Sequence, residues 1–238
     1  MNAPLFRTQS FPVEGSEKVA CVIAGYGGKI KSYQGVIQTL NEQGFAVVAY
    51  EHSPSVMTSG DPHDLLSLVD GICNDFAARI DGYKKIICIG ASAGSGLCFA
   101  LQRRMPAIQY GIYAVAGMSG KDALKSPLFY FVRRKFNKRG FSAARLNSLW
   151  QEIDISADSP PRRDLSFVMV LGKRDRLIRY KQALATLQAW RSAGVPIKII
   201  TRPHSGHLGT IKWHKKHIHE LLAEAEYLTS RPSRPIRC

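Results

Sequence analysis

Three residue types that can act together in acyl transfer sit in three separate loops of this chain. The first is the serine of Gly90-Ala91-Ser92-Ala93-Gly94. A buried-type apolar run, Ile86–Ile89, stops at this turn, and a helix-compatible segment, Leu97–Arg103, follows it. A strand, a tight G-x-S-x-G turn and a helix together hold a serine hydroxyl clear of a sheet. Gly90 and Gly94 flank the serine because Cβ atoms there would collide as strand and helix pack. The hydroxyl becomes a nucleophile only with a base in hydrogen-bond reach and a third group to orient that base. Asp175, in G-K-R-D-R-L-I, lies just beyond the apolar run Leu165–Leu171. His204 and His207, in R-P-H-S-G-H-L-G, lie just beyond the run Pro196–Thr201. Functional groups of open parallel sheets gather at the carboxyl ends of strands. The chain order is therefore Ser, Asp, His, with either histidine available as the base. The N–H of Ala93, at a helix start where donors are unpaired, suits a developing oxyanion.

The elements that must position these residues alternate in type. Strands are expected at Lys18–Ala24, Phe45–Tyr50, Lys85–Ile89, Tyr110–Ala116, Leu165–Leu171 and Pro196–Thr201, each a short apolar run. Helices are expected at Tyr33–Gln43, Asp64–Ile80, Leu97–Arg103, Tyr180–Ala193 and Thr210–Leu228, and Thr58–His63 is expected to be a polar loop. Strands alternating with helices imply an α/β fold: a mostly parallel central sheet with helices on both faces. The alternation lapses at 117–163, a basic and aromatic block with helical pieces, expected to be a small cap insertion within a single domain spanning 1–238.

The chain has 238 residues, enough for one sizeable core, and a formal net charge of +15. That charge suggests a weak attraction to an anionic membrane or anionic substrate; a solvated basic surface is the plainer reading. No recognised nucleic-acid motif accompanies it. Lys125–Phe141 combines Arg, Lys and aromatics with no acid. Its aromatics either pack on the core as a cap helix or face a lipid or anion. The Pro- and Arg-rich end, 229–238, is expected to be a disordered basic tail. The five cysteines, Cys21, Cys73, Cys88, Cys98 and Cys238, show no metal-type spacing and mostly sit in apolar contexts, which suits buried free thiols and a cytoplasmic location. No secretory signal pattern or membrane-length apolar run is present. His214, His217 and His219 share a segment with Lys212, Lys215 and Lys216 and read as a solvated basic face. No metal site and no cofactor are expected.

The chain resembles the α/β-hydrolase family, on the Gly90–Gly94 turn, G-K-R-D-R-L-I around Asp175 and S-G-H around His207. The loop after Lys18–Ala24 and the helix entry T-S-G-D-P around Asp61 are similar to its serine-peptidase and monoacylglycerol-lipase-like branch. The resemblance implies an eight-stranded core, with the cap inserted after Tyr110–Ala116. It favours His207 as the base, because Ser205-Gly206 precedes it and Gly209 follows. It also makes the N–H of Tyr26 the second oxyanion donor. Family members often carry His-Gly there, where this chain has Ala24-Gly25. Gly27 and Gly28 would then let a carbonyl oxygen approach closely, and His204 would be a pocket residue.

The expected activity is hydrolysis of a carboxylic ester or thioester through an acyl-enzyme on Ser92. Two other classes compete. One is a non-catalytic ligand-binding protein on the same fold. The other is an NAD(P)-binding oxidoreductase, since Gly90-x-x-x-Gly94-x-Gly96 is similar to the cofactor loop of short-chain dehydrogenases. That reading needs a Tyr-x-x-x-Lys pair, and no tyrosine here has lysine four residues on.

Overall fold

The structure is a computed structural model that describes residues 4–116, 130–151, 155–156 and 160–230. The region expected to form a cap is thus described in part. Of the expected tail, only Thr229 and Ser230 are described, and both are helical.

The strands are β1 (Phe6–Phe11), β2 (Lys18–Ile23), β3 (Phe45–His52), β4 (Lys85–Ala91), β5 (Ile108–Ala114), β6 (Ser166–Gly172) and β7 (Ile197–Arg202). Among the described residues they form one seven-stranded sheet in the order β1-β3-β2-β4-β5-β6-β7. All neighbours are parallel except β1, which runs antiparallel to β3 at the edge. The helices are α1 (Gln34–Glu42), α2 (Ser55–Thr58), α3 (His63–Ala77), α4 (Ala93–Arg104), α5 (Tyr130–Lys138), α6 (Ala143–Leu149), α7 (Tyr180–Ser192), α8 (His207–Lys216) and α9 (Ile218–Ser230).

Alternation along the strands divides the interior into two cores. Val19, Cys21 and Ile23 point to one face and pack with Leu68, Ile72, Phe76, Leu101 and Trp190 from α3, α4 and α7. Ala20 and Val22 point to the other and pack with Val36, Ile37, Leu40, Leu221 and Ala225 from α1 and α9. Each fully buried Val, Ile or Leu stabilises this arrangement by about 1.5–3 kcal/mol. Cys21, Cys73, Cys88 and Cys98 are buried free thiols. A third, small cluster of Phe136, Leu146 and Trp150 lies within the described part of 117–163. It is tied to the entry of α3 by the Trp150 indole N–H, which donates to the Pro62 carbonyl at 3.1 Å. Among the described residues no helix is long and apolar enough to cross a membrane.

Several expectations are corrected. The sheet has seven described strands rather than eight. β1 has no apolar run to announce it, since an edge strand needs only a few half-buried side chains. The expected loop Thr58–His63 is shorter than its bounds, since Thr58 closes the short helix α2 and His63 opens α3. α4 begins at Ala93, because its glycine-rich first turn is imposed by packing rather than by propensity. The single terminal helix is two, α8 and α9, separated at His217. His214 is fully buried rather than part of a solvated face.

Candidate active site

Ser92 sits between the end of β4 and the start of α4 with φ 55° and ψ −123°. A left-handed φ in a non-glycine residue is strained, and here the surroundings enforce it. The Ser92 N–H donates to the Ala114 carbonyl at 2.9 Å, which ties the turn to the end of β5. A Cβ on Gly90 would lie 2.6 Å from the Gly94 carbonyl oxygen, and one on Gly94 would strike the Ile23 carbonyl oxygen on β2. Both glycines are therefore needed for strand and helix to approach this closely. The next residue along β5, Val115, also has a left-handed φ of 50° and donates its N–H to Val170 on β6 at 2.9 Å.

The loops after β6 and β7 are stitched together. Lys173 N–H donates to the Arg202 carbonyl at 2.9 Å and Arg174 N–H to the Ser205 carbonyl at 3.0 Å. Gly172 permits that contact, since a Cβ there would clash with the Thr210 hydroxyl and lie 2.5 Å from the Ser205 carbonyl oxygen. The result brings Asp175 beside His207. The Asp175 Oδ2 is 2.8 Å from His207 Nδ1, and His207 Nε2 is 3.0 Å from Ser92 Oγ. The other carboxylate oxygen, Oδ1, accepts N–H bonds from Leu177 at 2.8 Å and Ile178 at 2.9 Å. The Asp175 side chain is 1% exposed and that of His207 12%. An ionised carboxylate only accepts, so Nδ1 carries the ring proton and Nε2 is left to accept from the serine. This hydrogen-bonded order can pass the serine proton to the imidazole as the hydroxyl attacks an electrophile.

The structure separates the two candidate histidines. His207 opens α8 and meets both Asp175 and Ser92, whereas His204 is exposed and joins neither. Gly25 packs close to the turn, for a Cβ on it would lie 2.8 Å from the Ala91 carbonyl oxygen and 3.5 Å from Ser92 Cβ. That places Tyr26 next to Ser92. The backbone N–H groups of Tyr26 and Ala93 have no acceptor among the described residues. Gly27, at φ 69°, has open space where a Cβ would stand. Gly28 does not: a Cβ on it would lie 3.0 Å from the Gly25 carbonyl oxygen, so its size serves the turn itself rather than an approaching ligand. Among the described residues no group of His, Cys, Asp or Glu is arranged to hold a metal ion. Gly172 and Thr210, for which the sequence offers no functional pattern, set the spacing of the two loops together with Ser205. The only local signal was a glycine at the end of an apolar run.

No protein-family model and no curated protein sequence matches this chain. Solved structures do. Est1E from Butyrivibrio proteoclasticus is 15% identical with a TM-score of 0.61, covering 93% of this chain and 95% of its own. Alpha/beta hydrolase domain-containing protein 10 from mouse is 14% identical with a TM-score of 0.61, over 92% and 94%. Acetyl xylan esterase from Paenibacillus sp. R4 is 14% identical with a TM-score of 0.68, over 92% of this chain and 79% of its own. At such identities the likeness speaks for architecture. The sheet order, the strand–turn–helix at Ser92 and these neighbours agree on one conclusion: this chain has the α/β-hydrolase fold.

Proposed function

We propose that the protein is a serine hydrolase that cleaves a carboxylic ester or thioester. The observation that carries this reading is the unbroken hydrogen-bonded chain Ser92–His207–Asp175 on a strained turn. The neighbour named as an acetyl xylan esterase supports it.

On this reading His207 Nε2 takes the Ser92 proton while Oγ attacks the carbonyl carbon. Asp175 holds the ring tautomer and stabilises the imidazolium. The oxyanion is received by the N–H groups of Tyr26 and Ala93; losing one such donor typically raises a barrier by about 2.7–4 kcal/mol. The imidazolium then protonates the leaving group, and water, activated by the same base, releases the acyl group. The segment 117–163 acts as a cap within the single domain, its described part anchored on α2 and α3 by Lys135, which donates to the Thr58 carbonyl at 2.7 Å, and by Trp150.

The test is labelling with a fluorophosphonate together with a series of p-nitrophenyl esters of graded chain length. The expected result is modification and turnover by the parent protein and neither by Ser92→Ala. A parent that stays unlabelled and cleaves no ester, yet binds ligand, would instead make the chain a binding protein on this fold.

A further inference from the structure

The loop that delivers Asp175 is also the most concentrated run of unpaired positive charge beside the site. Lys173, Arg174, Arg176, Arg179 and Lys181 are all exposed. None of them forms an ion pair among the described residues. The carboxylate within this run, Asp175, is turned inward and committed to His207 and to the Leu177 and Ile178 N–H groups. From Arg176 to His219 the sequence contains no Asp or Glu at all. That stretch includes both loops that bring Asp175 and His207 to Ser92, so the wall they build has no local carboxylate to neutralise it.

At the amino end of β4, lysines are matched: Lys84 pairs with Glu17 and Lys85 with Glu226. On the outer strand Lys198 pairs with Glu224 at 3.3 Å. Cations without partners repel one another and cost stability, so an uncompensated cluster on the loop that carries Asp175 is informative. A cleft lined by one sign of charge concentrates ligands of the other sign and raises their association rate by about 10- to 1,000-fold.

We propose that this cationic wall selects an anionic substrate: an ester or thioester that carries a phosphate or carboxylate group. The proposal rests on the hydrolase reading above and names its substrate class. Arg174 and Arg176 flank Asp175, which stands two hydrogen bonds from Ser92 Oγ. An anion on either side of the scissile bond therefore falls within about a Debye length of the wall, roughly 10 Å at 0.1 M salt. Arginine is suited to the task, because its planar fork binds carboxylate and phosphate in bidentate fashion.

Two matched pairs of substrates test this. Butyryl-coenzyme A is compared with butyryl-N-acetylcysteamine, which presents the same thioester without phosphates. The p-nitrophenyl monoester of succinate is compared with p-nitrophenyl butyrate. In 10 mM salt the kcat/KM of the anionic member is expected to exceed that of its neutral partner by about tenfold or more in at least one pair. Which pair responds tells whether phosphate or carboxylate is read. Raising salt to 0.3 M should shrink the ratio. The double variants Arg174→Glu/Arg176→Glu and Arg179→Glu/Lys181→Glu should each lower the ratio about tenfold, the second lying farther from Asp175 and so sparing its geometry. The same charge change at Lys84 and Arg163, ahead of the amino ends of β4 and β6, should leave the ratio within about twofold. Ratios near one in both pairs, or ratios indifferent to the loop variants, would overturn the proposal while leaving the hydrolase reading intact. A parent protein that hydrolyses none of the four compounds would also overturn the proposal, and would remove the hydrolase reading with it only if it stays unlabelled by the fluorophosphonate.

Discussion

Two histidines two turns apart on α8 live in opposite circumstances. His207, at the first position of the helix, engages a carboxylate through one nitrogen and a hydroxyl through the other. His214 is fully enclosed, and neither of its nitrogens has a hydrogen-bond partner among the described residues. Burial pulls the His214 pKa down to about 4, the Ile112 backbone opposing that shift and the neighbouring Lys215 charge adding to it. The contrast teaches that enclosure alone makes an imidazole inert and neutral. Enclosure with a carboxylate on one side and a hydroxyl on the other gives it the partners that the proposed proton transfer needs.

The largest expected effect removes the orientation that distinguishes the two rings. Asp175→Asn should leave melting temperature nearly unchanged but lower kcat on a p-nitrophenyl ester by about 10,000-fold, since the amide favours the wrong tautomer. A kcat within tenfold of the parent would mean that His207 is no more engaged than His214. A smaller loss is expected from Gly172→Ala. Its Cβ must displace Thr210 and Ser205, and with them the start of α8, while leaving His214 two turns away in place. A misplacement of about 1 Å at a reacting group costs on the order of 100-fold in rate, and the circular dichroism of the variant should remain that of the parent. The last effect is on stability rather than rate, and it sharpens the other end. His214 has a folded pKa below its unfolded value of about 6.5, so the stability it confers is present above pH 6.5 and is lost as pH falls towards 4. The full loss amounts to about 3 kcal/mol. Denaturant unfolding of His214→Leu should show a correspondingly flatter stability profile between pH 6.5 and 4. An unchanged slope would show that His214 does not carry this dependence.

The sheet was legible because its strands are buried on both faces and read as apolar runs, as Ile86–Ile89 and Leu165–Leu171 do. Ser92, Asp175 and His207 were legible because each follows such a run at its carboxyl end. What escaped was decided by tertiary contact. β1 is held by pairing with β3 rather than by its own pattern. The residue pattern alone left His204 and His207 open and only the resemblance favoured His207; what separates them is how Ser205 folds back onto Arg174. His214 was obscured by the lysines around it. Its spacing from the buried Thr210 and Ile218, four residues each way, was the sign that it faces inward.

The left-handed backbone at Ser92 has one more consequence. A residue forced into such a conformation withholds roughly 1–3 kcal/mol from the folded state, and glycine would adopt it freely. Retiring the chemistry by Ser92→Gly therefore asks little or nothing of the architecture. A variant of this chain can keep its shape, and anything else that shape does, with the proposed reaction removed.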